Sequence, residues 1–241
     1  MPEEQNPFLG YRAIRISLDR KDMFKTQIAA ILRASHYGNV RMMFPMISSV
    51  EEVQAAKAVL NEVKSELDSR GVPYNREMKV GIMIEVPAAV MIADLLAEEV
   101  DFFSIGTNDL VQYVLAVDRM NEQIAHMYHP YHPGVLRMIR MTVDAAHSVG
   151  IDVSVCGEMA ADERSLPLWL ELGISVLSMS PQALLKVKHR TLNTLASEAR
   201  EIAKLCFRNR TSSETEEQLS AYVGRSGFPL GATGDSKEKT S

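Results

Sequence analysis

Five short runs of apolar residues limit the folds that this sequence can adopt. They are VRMMFPMI (40–47), VGIMIEV (80–86), DFFSIG (101–106), IDVSVCG (151–157) and ISVLSMS (174–180). Each run is apolar almost throughout, which is typical of parallel strands that are covered on both faces. The segments between them have helical periodicity, and we expect helices over 19–37, 51–71, 88–99, 134–148, 163–172 and 182–206. This alternation of strand and helix predicts an α/β fold with a parallel sheet.

Polar side chains lie at or just beyond the C-terminal ends of the predicted strands. They are Glu85, the Asn108–Asp109 pair, Cys156 and the Ser178/Ser180 pair. Reactive groups from several strands that converge on one face are typical of a (β/α)₈ barrel, and the Gly-rich first turn of a doubly wound sheet is absent.

A complete barrel needs about 250 residues, and only five strands are recognisable here. The sequence therefore predicts a partial TIM (β/α)₈ barrel of about five parallel strands, which lacks about three strand–helix units. We expect residues 1–206 to form this C-terminal part of a barrel. Residues 207–241 are polar, and we expect them to form a disordered tail.

Composition excludes several classes of protein. The 241 residues carry a formal net charge of −5, so no basic surface for nucleic acid is indicated. The start, MPEEQNPF, has no apolar run, and no apolar stretch reaches the roughly 18 residues of a membrane span. Cys156 and Cys206 lie far apart, which indicates neither a disulfide framework nor a zinc site. We therefore expect a cytoplasmic enzyme without nucleic acid or membrane partners.

The strand-end residues have the chemistry of a site for a small anion. The carboxylates of Glu85 and Asp109 are hard oxygen ligands that suit Mg²⁺ or Mn²⁺. Cys156 can serve as a nucleophile or as a proton donor. Three arginines have the fork geometry that binds phosphate or carboxylate: Arg12, Arg41 and Arg119.

Simpler interpretations exist for each of these residues. Asp109 can cap the helix that follows it, a buried Cys is most often a small apolar residue, and a single Arg is most often a solvated surface group. The histidines of HMYHPYHP (126–133) lie in a proline-broken loop, where packing is more typical than metal binding. The recurrence of functional groups at one end of successive strands favours the functional interpretation.

The run DFFSIGTNDLVQYVLAVDR (101–119) resembles the second signature of the phosphoenolpyruvate-utilising enzymes. Within this superfamily the chain resembles enzyme I of the bacterial sugar phosphotransferase system, the phosphoenolpyruvate-protein phosphotransferases. Further matching blocks occur in family order: NPFLGYRAIR (6–15), RMMFPMISSVEEV (41–53), GIMIEVPAA (81–89), CGEMAADE (156–163) and LSMS (177–180). The resemblance extends from about Asn6 to the closing helix, so it covers most of the chain.

The resemblance implies a function and a set of site residues. It implies phosphoryl transfer from phosphoenolpyruvate to a histidine, which gives pyruvate and drives sugar transport. It implies a Mg²⁺ cofactor bound by Glu85 and Asp109, and catalysis by Cys156, which protonates the enolate. The residues that it assigns to substrate binding are Arg12, Asn108, Asp109 and Arg119.

The resemblance also implies partners and missing parts. The family has the phosphocarrier protein HPr as a partner in the intact enzyme, and we expect a homodimer through the barrel. A part that carries the phosphorylated histidine, and the first three barrel strands, should precede Asn6, so we expect this chain alone to be inactive. Val86 stands where Thr is frequent in the family.

Two alternatives stay open at this point. A fragment of pyruvate phosphate dikinase or phosphoenolpyruvate synthase would share the same metal and substrate residues. A non-catalytic fragment would bind phosphoenolpyruvate weakly or would mediate only dimerisation. The blocks RAIR and MFPMISSVEEV favour enzyme I over the first alternative.

Overall fold

The computed structural model describes residues 4–225, and within them five parallel strands form one sheet. The strands are β1 (Met42–Phe44), β2 (Val80–Ile84), β3 (Phe102–Gly106), β4 (Asp152–Cys156) and β5 (Val176–Ser178). Each strand pairs with the next one along the chain, in parallel register. Neighbouring strands of a (β/α)₈ barrel follow the same sequential order. The predicted α/β fold with part of a TIM barrel is therefore confirmed.

Helices connect and flank the strands. The α-helices of the described residues are α1 (Ile14–Asp19), α2 (Lys21–Ser35), α3 (Val50–Ser69), α4 (Pro87–Met91), α5 (Ala93–Ala97), α6 (Thr107–Leu115), α7 (Pro133–Ser148), α8 (Glu158–Ala161), α9 (Leu166–Glu171), α10 (Pro181–Leu192), α11 (Ala196–Cys206) and α12 (Ser212–Arg225). Short 3₁₀ turns occur at Pro7–Leu9, Ala125–Met127 and Glu163–Ser165. Within residues 4–225, none of these helices combines the length and apolarity that crossing a membrane requires.

Helix α3 illustrates how local sequence sets these elements. The Ser49 hydroxyl accepts a hydrogen bond from the Glu52 backbone N–H at 3.3 Å, and the Glu52 carboxylate accepts one from the Ser48 N–H at 2.6 Å. These bonds satisfy donors that a helix start leaves unpaired. The apolar stripe that follows, from Val53 to Leu67, is buried in the hydrophobic core.

The core is densest at the middle of the sheet and thins toward β5. Every residue of β3 is buried, whereas Val176 of β5 is 51% exposed. Several leucines on and after α10 are also exposed: Leu184, Leu185, Leu192 and Leu195. The described residues therefore leave β5 as an open edge whose flanking helix has little apolar cover.

Two expected helices are each divided in the structure. The predicted closing helix over 182–206 consists of α10 and α11, and the helix predicted over 88–99 consists of α4 and α5. At the end of α10 the Asn193 amide donates to the His189 carbonyl and the Thr194 hydroxyl donates to the Arg190 carbonyl, each at 2.8 Å. Such side-chain bonds to the last helical carbonyls compete with continuation of the helix.

The polar segment expected as a tail from residue 207 contains helix α12. This helix packs on α11 and on the 3₁₀ turn Glu163–Ser165, and its Thr215 and Leu219 are fully buried. The Asn209 amide donates to Thr215 Oγ1 at 3.1 Å and to Gln218 Oε1 at 3.0 Å. Polar composition concealed these few anchoring residues. Positions 226–241 of the expected tail lie outside the described residues.

The packing of α12 can be tested with two leucines. Leu219 is fully buried and Leu195 is 63% exposed, so Leu219→Ala should lower the free energy of unfolding by about 2–3 kcal/mol. The control Leu195→Ala should change it by less than about 0.5 kcal/mol. Urea denaturation followed by circular dichroism gives both values. Equal stabilities of the two variants would contradict the packing of α12 described above.

Candidate active site

The parallel register brings side chains from three strands to one edge of the sheet. Gly106, the last residue of β3, pairs with Cys156, the last residue of β4, and Glu85 directly follows β2. A Cβ atom on Gly106 would lie 2.6 Å from Glu85 Oε2. Because Gly106 has no side chain, the Glu85 carboxylate can lie across the end of β3. The electrostatic effect of Glu85 and Asp109 on Cys156 reflects the closeness of the three groups.

Asp109 is the residue at which two of the three predicted arginines, Arg12 and Arg119, meet. It is 7% exposed, its Oδ2 accepts a hydrogen bond from Arg12 Nη2 at 3.1 Å, and its Oδ1 lies 3.7 Å from Arg119 Nη1. Among the described residues, Asp109 Oδ1 and Arg119 Nη1 are buried without a hydrogen-bond partner. Helix α6 has no side-chain cap, so Asp109 does not have the capping role considered above.

Positive and negative charges are unequal in the cluster formed by Glu85, Asp109, Arg12 and Arg119. Burial raises the pKa of Glu85 to about 7, and the negative charge of Asp109 adds to the rise, although the Met46 N–H that donates to Glu85 Oε1 at 2.8 Å opposes it. Two guanidinium groups therefore face the Asp109 carboxylate and a Glu85 side chain that is partly protonated at neutral pH. The cluster has an excess of positive charge, which favours an anionic ligand.

Asn108 and Thr107 join the end of β3 to the end of β4. Asn108 Oδ1 accepts a hydrogen bond from the Glu158 N–H at 2.9 Å, and the Thr107 hydroxyl donates to the Cys156 carbonyl at 2.7 Å. Gly157 lies between the bonded residues with φ +92°. These bonds hold Asn108 beside Cys156 and engage the amide oxygen of Asn108.

Burial changes the acidity of Cys156. The thiol donates a weak hydrogen bond to the Ile105 carbonyl at 3.5 Å. Burial raises the pKa of the Cys156 thiol, and the nearby Glu85 and Asp109 raise it further. The sulfur is therefore a protonated thiol at neutral pH, which suits a proton donor better than a nucleophile.

Four residues of the cluster were not predicted from the sequence. Gln112 Oε1 accepts from the Arg119 N–H at 3.2 Å, and Tyr113 accepts from Arg12 Nη1 at 3.4 Å and donates to the Phe8 carbonyl. Tyr128 donates to the Asn108 carbonyl at 3.3 Å. Gln112 and Tyr113 follow Asp109 by three and four residues on α6, so helical spacing indicates their position. No sequence signal locates Phe8 or Tyr128.

Arg41 does not belong to the cluster. It directly precedes β1, and its Nη1 lies 3.8 Å from Asp152 Oδ2 at the first residue of β4. Both residues are therefore at the amino end of the sheet, opposite the site. Its interpretation as a phosphate-binding arginine is corrected, because a residue before a strand faces the other end of a parallel sheet from a residue after one.

The acidic pair fits a divalent cation that has few protein ligands. Asp109 Oδ1 is buried and lacks a hydrogen bond, and it lies near a second carboxylate, Glu85. Within residues 4–225 no group of three or more His, Cys, Asp or Glu side chains is arranged to hold a metal. Two carboxylates would leave most of the coordination sphere to water and ligand oxygens, as Mg²⁺ prefers.

Comparisons with known proteins identify the family to which this chain is similar. A family model described as "PEP-utilising enzyme, PEP-binding domain" matches residues 1–195. The chain is 53% identical over 188 residues to the phosphoenolpyruvate-protein phosphotransferase of Priestia megaterium, which covers 78% of this chain and 33% of the relative. It is 45% identical over 223 residues to the protein of that name from Listeria monocytogenes, which covers 92% of this chain and 39% of the relative. The chain thus spans little more than a third of these relatives.

A solved structure shares the fold at low sequence identity. A citrate lyase from Burkholderia xenovorans matches with a TM-score of 0.52 and 17% identity, covering 86% of this chain and 70% of the other. At this identity the match concerns the fold alone.

Gly157 provides a test of the Asn108 link. A Cβ at this position would lie 2.6 Å from Thr107 Oγ1 and 2.7 Å from Asn108 Oδ1, whereas a Cβ on Gly150, also at positive φ, would meet nothing within 4 Å. Gly150→Ala should therefore cost only backbone strain of about 1 kcal/mol. Gly157→Ala should cost about 1–3 kcal/mol more, because it adds overpacking to a backbone at φ 92° and ψ −168° that is almost restricted to glycine. Urea denaturation measures both values, and equal costs would contradict the close packing at Gly157.

Proposed function

Because this chain belongs to the family of PEP-utilising enzymes that carry the PEP-binding domain, we propose that it is the phosphoenolpyruvate-binding part of a phosphoenolpyruvate-protein phosphotransferase. In this reaction the phosphoryl group passes from phosphoenolpyruvate to a histidine, and pyruvate remains. The chain matches only about a third of its curated relatives, so the activity of the whole enzyme is part of the proposal.

The arrangement around Asp109 carries this proposal. Arg12 and Arg119 meet at its two oxygens, at 3.1 and 3.7 Å, beside Glu85 and Cys156. Phosphoenolpyruvate has a phosphate and a carboxylate, and planar guanidinium groups bind both by paired hydrogen bonds. Arg119 Nη1 is buried and makes no hydrogen bond, although it lies 3.7 Å from Asp109 Oδ1, so it is a donor that such an anion can engage.

Asn108 would bind the same substrate through its amide nitrogen. Its oxygen is already engaged by the Glu158 N–H, so the NH₂ group remains as its donor. This role, like those of Arg12, Asp109 and Arg119, is an assignment by resemblance that the geometry supports.

Glu85 and Asp109 would hold Mg²⁺. The bound ion would offset the charge on the substrate's oxygens, which is the usual contribution of a metal to phosphoryl transfer. Burial is the main cause of the raised pKa of Glu85, and the negative charge of Asp109 adds to it, so a divalent cation between the two carboxylates would offset both effects.

Cys156 would supply the proton that completes the reaction. When the bond between phosphorus and the enol oxygen breaks, the histidine nitrogen takes the phosphoryl group and an enolate is left. The Cys156 thiol then gives its proton to C3 of the enolate, which yields pyruvate and a thiolate that is reprotonated from water. The raised pKa of the thiol keeps this proton in place until the enolate forms.

The rest of the enzyme is proposed from the relatives. The phosphorylated histidine, the three remaining barrel strands and further substrate arginines would come from sequence outside this region, and HPr would receive the phosphoryl group. A homodimer through the barrel is part of the same proposal. The open edge at β5 and the exposed leucines of α10 offer a surface for the missing strand–helix units.

Replacement of Asp109 tests the binding of metal and substrate together. In a phosphotransferase that contains this region, Asp109→Ala should weaken Mg²⁺-dependent binding of phosphoenolpyruvate by more than about 100-fold, since even residues that only support metal ligands contribute about 10- to 100-fold. The exposed Asp144 on α7 offers a control, Asp144→Ala. Calorimetric titration with and without Mg²⁺ measures the effect. Unchanged metal dependence in Asp109→Ala would refute the assignment.

The two cysteines separate catalysis from packing. In the same enzyme Cys156→Ala should slow pyruvate formation by about 100-fold or more, as expected for loss of a positioned acid, with little change in phosphoenolpyruvate affinity. Cys206→Ala removes a buried thiol with no proposed catalytic role and should leave the rate unchanged. Single-turnover kinetics distinguish the steps. Loss of affinity with protonation intact would instead indicate a packing role for Cys156.

The chain by itself should not turn over phosphoenolpyruvate. It has six histidines, none in a stretch that resembles the phosphorylated motif. With phosphoenolpyruvate labelled at phosphorus and Mg²⁺ present, the purified chain should show no phosphohistidine and should release no pyruvate at enzymatic rates. Stoichiometric labelling of a histidine would show instead that the chain is a self-sufficient enzyme.

A further inference from the structure

Phe8 contacts both of the arginines that meet at Asp109. It is half-buried in the 3₁₀ turn Pro7–Leu9, and its ring centroid lies 5.7 Å from Cζ of Arg12 and 5.9 Å from Cζ of Arg119. Both distances are within the range of a cation–π contact. One aromatic ring thus serves two guanidinium groups that come from distant parts of the chain.

The turn that carries Phe8 is itself fixed in place. Arg15 Nη1 donates to the Leu9 and Gly10 carbonyls at 2.7 and 2.9 Å, and the Tyr113 hydroxyl donates to the Phe8 carbonyl. Tyr113 belongs to α6, the same helix as Asp109. The ring is therefore held relative to the carboxylate that both arginines share.

The shared contact with the Phe8 ring stabilises two arginine side chains that the Asp109 carboxylate alone would hold weakly. Arg12 and Arg119 repel each other, their side chains are 33% and 28% exposed, and each has only one close oxygen of Asp109. Arg12 also donates to the Tyr113 hydroxyl at 3.4 Å, but without the ring both side chains would turn toward water more easily, where they gain rotamer freedom. The ring face attracts both cations but accepts no strong hydrogen bond, so the N–H groups stay available for an anion.

We infer that Phe8 is a positioning residue, which holds Arg12 and Arg119 in the orientation that receives the anionic groups of the substrate. The identity of the substrate rests on the proposed function, whereas the positioning of the arginines does not. The ring contributes no chemistry of its own, so an apolar residue of similar size without a π face should not replace it.

Nuclear magnetic resonance of the chain tests this inference without any ligand. The side-chain Nε–Hε signals of Arg12 and Arg119, assigned with Arg12→Lys and Arg119→Lys, should be displaced by the ring current relative to the exposed Arg137. Phe8→Leu should abolish both displacements, and Phe8→Tyr should retain them. Leu9 lies on the same turn and is 65% exposed. Leu9→Ala is therefore the matched control and should leave both signals unchanged.

A second measurement connects the ring to binding. In a phosphotransferase that contains this region, Phe8→Leu should weaken phosphoenolpyruvate affinity in the presence of Mg²⁺ by about tenfold, the loss expected for two cation–π contacts. Phe8→Tyr should retain the wild-type affinity.

Three results would overturn the inference. If Phe8→Leu does not fold, the wild-type spectrum is a sufficient test, because the absence of a displacement in both arginine signals would contradict the shared contact. Displacement of only one arginine, or persistence of both displacements in Phe8→Leu, contradicts it as well. Displaced signals, together with a phosphotransferase that contains this region but does not bind phosphoenolpyruvate, would leave Phe8 as a positioning residue and would count against the proposed function instead.

Discussion

Asp109 is nearly buried in the first turn of α6, and two guanidinium groups meet at its oxygens. A buried charge of this kind is stable only when it is paired, and Arg12 and Arg119 provide the pairing from opposite sides of the sequence. Because Glu85 is partly protonated at neutral pH, the two guanidinium groups exceed the negative charge of the two carboxylates, and the pairing that stabilises Asp109 leaves positive charge for a ligand. The proposed substrate binding, the proposed metal site and the role of Phe8 all depend on this arrangement.

Near the site, three of the described residues other than glycine have a positive φ, which is a strained backbone conformation. The non-glycine residues with positive φ in the described part of the chain are Ala13, Met46 and Ala116. Ala13 follows Arg12, the Met46 N–H donates to Glu85, and Ala116 ends α6 three residues before Arg119. Such conformations cost about 1–3 kcal/mol each and persist where the surroundings enforce them, most often at functional sites. Strain is therefore concentrated where side chains must be aimed.

Much of this arrangement can be predicted from the sequence, because strand polarity determines at which edge of the sheet a residue next to a strand lies. Apolar runs located all five strands, and residues just past them, such as Glu85 and Cys156, necessarily share one edge of a parallel sheet. The same polarity places Arg41, at the start of the run 40–47, at the amino end of the sheet, whereas no local pattern places Arg12, which reaches the site from a helix start. Phe8 was missed because its contacts with Arg119 and Tyr113 are long-range, and helix α12 was missed because its polar composition concealed the few buried residues that anchor it.

The central claim is that Glu85 and Asp109 form one cation site beside the substrate arginines. A crystal of this region with Mn²⁺ and phosphoenolpyruvate, analysed by anomalous scattering, tests it most directly. The account predicts one Mn²⁺ ion at about 2.1 Å from an oxygen of each carboxylate, with phosphoenolpyruvate contacting Arg12 and Arg119. Mn²⁺ bound only at surface carboxylates, with Glu85 or Asp109 outside its coordination sphere, would contradict the account.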